Sequence, residues 1–428
     1  IGSGGREHAI CLSLTKSKNI HKIYCFPGNA GTSKIAENIQ INSENFEDLK
    51  KFIIKKKIDY IVVGPEGPLV NGIVDYLEKS NIKVFGPNKI ASQLEGSKIF
   101  TKELCEKYNI PTAKFGIFKN IKEAKVYLDN SSFPIVIKAD GLAAGKGVYI
   151  CENKTDAIKA IKEVFAGKFG KADKLLIEEF LEGEEMSFFI VSDGQNYKKF
   201  GTAQDHKRVF EGDKGPNTGG MGAYSPSRLE NNELDKKIID KIIEPTLKGL
   251  KDLKTEFKGF LYAGLIIINN EPFLIEYNVR MGDPECQTIL PKLKSDFGKI
   301  IEASCNKKLD EIYIDWHDDK TLCIVLCSKG YPEKYKNNIQ INFKDLKLEK
   351  NEFIFHAGTK YVDNKILSNG GRVLNFVIRS NDFKLARKSA IRLIHKINWE
   401  NGFFRNDIGY KVIDKWELFL VNLKEKKF

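Results

Sequence analysis

The chain of 428 residues lacks the features that define several protein classes. No apolar run approaches the roughly 20 residues that a membrane-spanning helix needs. The eight cysteines are scattered, with no CxxC pair and no cysteine–histidine group at the spacing of zinc ligands. No signal peptide is visible. We therefore expect a cytoplasmic protein with reduced, mostly packed thiols, no structural zinc and no association with membranes.

The chain also lacks a dense basic block, although its formal net charge is +12. Its lysines form only short clusters, such as 55–57, spread among abundant asparagine and isoleucine. No signature of a nucleic-acid-binding fold accompanies the charge, so we do not expect nucleic acid as a partner. A hydrophobic content of 42% is enough for substantial cores, and the length suggests two to four packed units.

The first 97 residues alternate short apolar runs with helical patterns. We predict strands at 22–26, 59–64 and 82–86, each followed by a turn rich in glycine or proline. This alternation predicts a parallel sheet with a ligand crevice beyond the carboxyl ends of its strands. The opening GSGGREHA fits the first strand-to-helix turn of that sheet. Alone, it is compatible with a dinucleotide or with a phosphate of any other ligand.

The stretch PIVIKADGLAAGKGV is an apolar strand that runs into a glycine-rich turn. Gly141, Gly145 and Gly147 let backbone N–H groups approach phosphate oxygens, and Lys138 and Lys146 add positive charge. The spacing is not that of a P-loop, because only three residues separate the first two glycines. A strand pattern resumes at VYIC. We therefore predict a hairpin flap over a nucleotide, with an ordinary mobile hairpin as the alternative.

Two further strand ends carry polar groups. LIEEFLEGEEMS suits adenine contacts by the backbone and a ribose contact by a carboxylate, and its alternative is an acidic solvated strand end. In PFLIEYNVRMGDPE, Glu276 and Asn278 are two residues apart on a strand and so face the same way. Their oxygens are the hard ligands that Mg²⁺ prefers. A merely solvated strand face would leave the nearby Arg280, Asp283 and Glu285 unexplained.

The second half of the chain adds a loop and a last unit. We predict a long polar loop over 201–226, which contains TAQDHKRV and the glycine-rich GPNTGGMGAYSP. Loops of this length usually bind a ligand or close over one. From about residue 323, the pattern mixes strands with the helical DFKLARKSAIRLIHKI. The run that contains Cys323 and Cys327 is predicted to be a buried strand rather than a metal site.

The ordered set of motifs resembles one family of ATP-grasp enzymes, the phosphoribosylamine–glycine ligases, from end to end. The resemblance rests on GSGGREHA, PGNAGT, VGPEGPLV, FGPNKIASQLEGSK, IVIKADGLAAGKGV, IEEFLEGEE, AQDHKRV, GPNTGGMGAYSP, GFLYAGL, EYNVRMGDPE, FHAGT and NGGRVL. It implies ATP-dependent joining of glycine to 5-phosphoribosylamine in purine biosynthesis. The carboxylate would attack the γ-phosphate and the sugar amine would take the acyl phosphate, so no enzyme nucleophile is needed.

The resemblance also implies roles for individual residues. For ATP these are Lys98, Lys138, Gly141, Gly145, Lys146, Gly147, Glu178, Glu179, Phe180, Leu181 and Glu185. Mg²⁺ or Mn²⁺ would be held by Glu276 and Asn278, and the catalytic group would be Arg280, Asp205 and Lys207. The substrate-binding residues would be Gly4, Gly5, Gly28, Asn29, Glu66, Asn217 and Thr218. We assign no role to His8 or His206, since a lone histidine more often packs than reacts.

The implied fold mixes α/β and α+β architecture. An N-terminal parallel-sheet, Rossmann-like pre-ATP-grasp domain (1–97) would precede an ATP-grasp core (98–116 and 190–322), its lid (117–189) and a C-terminal mixed α/β domain (323–428). We expect a monomer or a weak dimer. The alternatives are another purine-pathway ATP-grasp ligase or carboxylase, which should lack GPNTGGMGAYSP and AQDHKRV, an NAD-dependent oxidoreductase suggested only by GSGGRE, and a basic binding module.

Overall fold

The computed structural model describes residues 1–142, 147–170, 172–343 and 346–413. It begins with short parallel strands: β1 (Tyr24–Cys25), β2 (Glu37–Asn38), β3 (Tyr60–Val62) and β4 (Lys83–Phe85). β1 pairs with β2 and β3 pairs with β4. The Gly2 amide donates to the Phe26 carbonyl at 2.6 Å, and the amino group of Ile1 donates to the Val62 carbonyl at 2.7 Å. The first residues thus join the two pairs, which confirms the predicted parallel sheet.

Helices connect and cover these strands. They are α1 (Gly5–Leu14), α2 (Phe46–Lys56), α3 (Glu66–Val70), α4 (Ile73–Glu78), α5 (Gln93–Gly96) and α6 (Lys98–Tyr108). α2 shows why such segments fold: the Asn45 side chain accepts from the Asp48 amide at 3.2 Å, and Leu49 and Ile53 face the core. α5 and α6 adjoin in sequence and lead the chain out of the parallel sheet.

A small antiparallel sheet with its own core comes next. Its elements are β5 (Phe115–Phe118), α7 (Ile121–Asp129), β6 (Ile135–Ala139), β7 (Val148–Cys151), α8 (Lys154–Phe165) and β8 (Leu175–Glu179). The strand order is β5-β8-β6-β7, and the buried faces of both helices pack on it. β6 and β7 pair directly on either side of the glycine-rich turn, which confirms the predicted hairpin.

The remaining strands build one large sheet and several short pairs. They are β9 (Glu184–Asp193), β10 (Tyr197–Asp205), β11 (Arg208–Phe210), β12 (Lys214–Asn217), β13 (Gly222–Ser225), β14 (Lys258–Ile268), β15 (Glu271–Asn278), β16 (Lys320–Ser328), β17 (Asn342–Phe343), β18 (Glu352–His356), β19 (Thr359–Val362), β20 (Lys365–Ser368), β21 (Arg372–Ser380), β22 (Ile397–Asn398) and β23 (Gly402–Phe403). The large sheet has the order β15-β14-β9-β10-β13-β16-β21-β18, and β23 also pairs with β16.

Further helices flank this sheet. They are α9 (Asn232–Ile238), α10 (Glu244–Asp252), α11 (Glu285–Ile289), α12 (Phe297–Cys305), α13 (Phe383–Ile394) and α14 (Tyr410–Ile413). α13 confirms the predicted C-terminal helix, and β16 confirms the buried strand around Cys323. Because β16 pairs with β13, the large sheet crosses the predicted boundary at 322–323 without interruption. Within the described ranges, no helix is long and apolar enough to cross a membrane.

The predicted long polar loop over 201–226 is wrong in its extent. β10 ends at Asp205, β11 and β12 form a short hairpin, and β13 is fully buried inside the large sheet. Polar residues of these strands form hydrogen bonds with each other. Ser225 donates to the Thr202 carbonyl and Tyr224 donates to the Gln204 side chain, both at 2.7 Å. Polar side chains that pair inside a sheet have no hydropathy signal, so the sequence pattern resembled a loop.

Candidate active site

Two of the predicted phosphate-binding lysines lie on opposite sides of the glycine turn. Lys98 is the first residue of α6, which starts here because the Ser97 hydroxyl accepts from the Phe100 amide at 3.1 Å. Its ammonium donates to the Gly141 carbonyl at 2.9 Å. Lys138 lies near the end of β6 and is buried. Lys98 thus contacts the glycine turn directly, and Lys138 lies on the strand that leads into that turn.

A buried ion-pair network holds Lys138 in place. Its ammonium is 2.8 Å from Oε2 of Glu178, and the ammonium of Lys102 is 3.3 Å from Oε1 of the same carboxylate. Lys102 also donates to the Thr112 hydroxyl at 2.6 Å, and burial lowers the pKa of its ammonium. Sequence reasoning missed Lys102, although its spacing of four from Lys98 places both lysines on one face of α6.

The adenine-hinge segment follows β8. Glu178 is buried and its side chain is engaged by lysines, whereas the backbone of Glu179 pairs with Lys114 at 2.9 Å. Phe180 is 39% exposed, so its ring is available to a ligand. The Glu178 carboxylate therefore serves Lys138 and Lys102, and only Phe180 and Leu181 lie beyond the end of β8 in this predicted adenine segment.

The glycine turn is described only in part. Gly141 has a φ of +94°, which suits glycine, and nothing lies within 4 Å of where its Cβ would be. The carbonyl of Gly147 accepts from the Ala139 amide at 2.8 Å and closes the hairpin. Gly145 and Lys146 lie outside the described residues. The described residues on either side of the turn therefore belong to one hairpin of β6 and β7.

Glu276 and Asn278 lie half-buried at the end of β15, on the strand predicted for them. They stand opposite Gly264 and Tyr262 of β14, while Tyr277 between them points into the core. Neither side chain makes a hydrogen bond or ion pair with another residue that the structure describes, and Glu276 acts electrostatically on Lys98. Across the described ranges, no group of three or more His, Cys, Asp or Glu side chains surrounds a common point. Two free oxygen ligands fit a hard divalent cation whose other ligands are phosphates and water.

Arg280 follows the predicted metal ligands and is held between two carboxylates. Its Nη2 is 2.7 Å from Oε1 of Glu95, and its Nε is 3.2 Å from Oε2 of Glu66. Arg280 lowers the pKa of Glu66 to about 2, whereas burial raises the pKa of Glu95 to about 7 against the effect of the arginine. The structure thus brings the predicted Arg280 and Glu66 together, and it adds Glu95, which sequence reasoning missed.

Asp205 and Lys207 lie at the end of β10 beside Glu185. The Lys207 ammonium is 2.7 Å from Oε2 of Glu185, so a predicted ribose ligand and a predicted catalytic residue form an ion pair. Burial raises the pKa of Asp205 to about 7, partly opposed by Lys207, while nearby Glu285 raises it further. Burial opposes the charge of Lys207, but Glu185 and Asp205 keep its pKa well above the usual value. The Asp205 carboxyl group can therefore hold a proton near neutral pH.

The short loop after β12 approaches the same place. The Thr218 amide and hydroxyl both donate to the Lys207 carbonyl at 2.8 Å, which ties the loop to Lys207. Asn217 is exposed and its side chain is open to solvent. Of these two predicted substrate residues, Asn217 is therefore the one whose side chain can reach a ligand directly.

The predicted substrate residues of the N-terminal glycine turns are largely structural. The Asn29 amide donates to the Ser3 and His356 carbonyls at 2.8 Å, and its oxygen accepts from the Gly31 amide at 2.8 Å. Gly28 has a φ of +74°. A Cβ on Gly5 would come within 2.6 Å of Gln287, so that glycine allows close packing. The Asn29 contacts favour a structural role for its side chain over the predicted substrate contact.

Gly4 and the histidines complete this region. The Gly4 amide donates to Oε2 of Glu7 at 2.6 Å, at the start of α1. His8 Nδ1 accepts from the His356 amide at 2.9 Å, and His206 Nε2 accepts from the Gly409 amide at 3.0 Å. Both rings are buried, and each accepts a backbone amide through one ring nitrogen.

Comparisons with known proteins cover almost the whole chain. Family models of phosphoribosylglycinamide synthetase match its N domain over residues 1–95, its ATP-grasp (A) domain over 96–286 and its C domain over 321–411. The chain is 44% identical over 419 residues to the phosphoribosylamine–glycine ligase of Brucella melitensis, covering 97% of this chain and 98% of the relative. It is 46% identical over 414 residues to that of Agrobacterium fabrum, covering 96% and 98%.

Solved structures agree with these matches. The crystal structure of phosphoribosylamine–glycine ligase from Thermotoga maritima superposes with a TM-score of 0.84 at 33% identity, covering 95% of this chain and 98% of that chain. The biotin carboxylase domain of the Hydrogenobacter thermophilus 2-oxoglutarate carboxylase, solved with MgADP and bicarbonate, has a TM-score of 0.71 at 17% identity and covers 94% and 90%. The second likeness is one of fold alone.

Proposed function

Since the chain belongs to the phosphoribosylamine–glycine ligase family, we propose that it joins glycine to 5-phosphoribosylamine at the expense of ATP. The products are glycinamide ribonucleotide, ADP and inorganic phosphate. The observation that best supports this assignment is that Lys98 and Lys138 lie beside the end of β15, where Glu276 and Asn278 have no partner among the described residues and Arg280 follows two residues later. This set can neutralise a triphosphate and orient a carboxylate against it.

The first step activates glycine. A carboxylate oxygen of glycine attacks the γ-phosphorus, the bond to the β,γ-bridging oxygen breaks, and glycyl phosphate and ADP form. Lys98 and Lys138 compensate the negative charge of the phosphates, and Arg280 orients the attacking carboxylate. Mg²⁺ or Mn²⁺, held by Glu276 and Asn278, would supply further neutralisation of the transferred phosphoryl group when bound. Reaction through the substrates alone requires no covalent enzyme adduct.

The second step forms the amide. The amine of phosphoribosylamine attacks the carbonyl carbon of glycyl phosphate, the bond to phosphate breaks, and the amine loses a proton. Asp205 is the proposed proton acceptor, because a carboxyl group with a pKa of about 7 exchanges protons efficiently at neutral pH. Lys207 beside it would stabilise the carboxylate. Asn217 and the partly exposed Glu66 are the proposed contacts to the second substrate, and Glu185 the contact to ribose.

The remaining details are proposals of the same account. We propose the domain division at 1–97, 98–116 with 190–322, 117–189 and 323–428, as segments of sequence. The three family models support it in outline, and the large sheet continues across the last boundary. We also propose that the protein works in the cytoplasm as a monomer or a weak dimer. Sedimentation at several protein concentrations would distinguish a stable dimer from both.

An omission assay tests the proposed function. ADP release is followed with ATP, glycine and phosphoribosylamine together, and then with each substrate left out. We expect the full rate only with all three present, together with stoichiometric formation of glycinamide ribonucleotide. ADP release that ignores glycine, or that responds to bicarbonate in its place, would contradict the assignment.

A further inference from the structure

The Glu95 carboxylate makes two directed contacts to the segment that follows the metal pair. Oε1 lies 2.7 Å from Nη2 of Arg280, and Oε2 accepts from the Val279 amide at 2.9 Å. Its side chain is only 8% exposed, so it is beyond the reach of a substrate. Both oxygens of one buried carboxylate thus fix consecutive residues, one through its backbone and one through its guanidinium.

Glu66 holds the same guanidinium differently. It makes one contact, at 3.2 Å to Nε, and its side chain is 32% exposed. Removing Glu66 from Arg280 would therefore leave the arginine still bound to Glu95 at a fixed place. The two carboxylates are therefore not equivalent. Glu95 is buried, whereas Glu66 is partly exposed, so an anionic substrate would compete with Glu66 for Arg280.

The place of Glu95 in the chain couples two parts of the site. It belongs to α5, and only two residues separate it from Lys98, the first residue of α6. Ser97 between them donates to the Asp140 carboxylate at 3.1 Å, which ties the junction to the end of β6. Glu95 therefore spans from the junction that carries a phosphate-directed lysine to the strand end that carries Glu276 and Asn278.

We propose that Glu95 is a positioning residue for the ligation, which holds the Arg280 guanidinium in place, through Nη2 and the adjoining Val279 amide, while Glu66 gives way to substrate. The proposal rests on the role of Arg280 in the proposed function. In this proposal the Nε edge of Arg280, which Glu66 contacts, faces the substrate. The Nη2 edge, which Glu95 contacts, faces the protein interior.

A kinetic double-mutant cycle with Glu95→Gln and Arg280→Lys tests this role. The glutamine oxygen can accept from only one of the two donors, so we expect kcat to fall about 10- to 100-fold, as for a misplaced orienting group. The KM for ATP should stay within about threefold of wild type, because Lys98 and Lys138 are untouched. The double variant should turn over within about threefold of Arg280→Lys alone, because Glu95 acts through the arginine.

A purely structural Glu95 gives different results. It would lower the melting temperature of Glu95→Gln while leaving kcat of the folded protein within about threefold of wild type, and that outcome would overturn the proposal. Losses that multiply in the double variant would also overturn it. Glu103→Gln, the same substitution at an exposed site on α6, is the matched control and should behave as wild type. Should Glu95→Gln not fold, Glu95→Asp, which keeps the charge but shortens the reach, enters the same cycle.

The cycle also separates this proposal from the proposed function. If Arg280→Lys itself keeps full turnover, the role of Arg280 in the reaction is wrong. If Arg280→Lys is impaired and Glu95→Gln is not, only the positioning role of Glu95 is wrong.

Discussion

At the scale of single residues, the two-residue spacing of Glu276 and Asn278 on β15 puts both side chains on one face. On β15 both side chains leave the same face, and the residue between them is buried, so their oxygens can meet one cation. The spacing was visible in the sequence. Their lack of competing partners in the described part of the chain was not visible, because it depends on how other elements orient Lys98 and Lys207.

Replacing Glu276 with glutamine should remove the anionic ligand and leave the fold intact. We expect turnover to fall by at least about 100-fold, since metal neutralisation of phosphoryl transfer is worth several kcal/mol. Binding of Mn²⁺ in the presence of ATP, followed by electron paramagnetic resonance, should weaken in parallel. Glu271→Gln on the same strand, where the carboxylate pairs with surface lysines, is the control. Normal Mn²⁺ affinity in folded Glu276→Gln would exclude the metal role.

His206 is a residue whose effect is on stability rather than chemistry. Burial lowers its pKa to about 4, with Asp213 opposing and Arg405 adding to the shift. Between pH 6.5 and 4 the unfolded chain therefore binds a proton that the folded protein does not. The contribution of this residue to the free energy of unfolding is consequently lost as the pH falls through that window.

The variant His206→Gln should flatten this dependence. A glutamine oxygen can still accept from the Gly409 amide but takes up no proton. The slope of the free energy of unfolding against pH, measured by urea unfolding between pH 4 and 6.5, should fall by up to about 1.4 kcal/mol per pH unit. The exposed His21→Gln serves as the control. An unchanged slope in His206→Gln would show that the buried ring does not control the acid response.

At the scale of elements, α6 connects the glycine turn to the buried ion pairs of the small sheet. Its first turn presents Lys98 to the glycine turn, and one turn later Lys102 reaches the buried Glu178 of β8. The helix, both hairpin strands and β15 could be predicted from periodicity and turn residues. The link between α6 and β8 could not, because a lysine on a helix is ordinarily solvated, and only the packing of the small sheet shows that this one is buried.

Substituting Lys102 with methionine should test that link. The change leaves Glu178 paired with Lys138 alone in a buried environment, and breaking a buried pair on one side costs on the order of 3 kcal/mol. We expect that loss in the free energy of unfolding from urea titrations. Lys107→Met, at an exposed position of the same helix, should change it by less than about 0.5 kcal/mol. Equal effects of the two substitutions would mean that the ion pair between Lys102 and Glu178 contributes little to the free energy of unfolding.

At the scale of the whole molecule, the site is assembled from motifs far apart in the chain. Arg6 donates to the Met281 carbonyl at 3.2 Å, and its amide donates to Asp283 at 3.3 Å. Arg372, from the C-terminal NGGRVL, comes within 3.5 Å of the same aspartate. The sequence supplied these motifs and, by resemblance, their family. Their contacts depend on tertiary packing, which no local pattern encodes, and so Glu95, Lys102 and the saturated Asn29 amide were not foreseen.

The central claim is that the glycine carboxylate attacks the γ-phosphorus of ATP. It is tested most directly with glycine labelled with ¹⁸O in both carboxylate oxygens, in complete turnovers with phosphoribosylamine. The account predicts that inorganic phosphate receives one labelled oxygen per glycinamide ribonucleotide formed, because the carboxylate oxygen that attacks phosphorus leaves with it. Phosphate without label, or label recovered in AMP, would contradict the acyl phosphate and the account built on it.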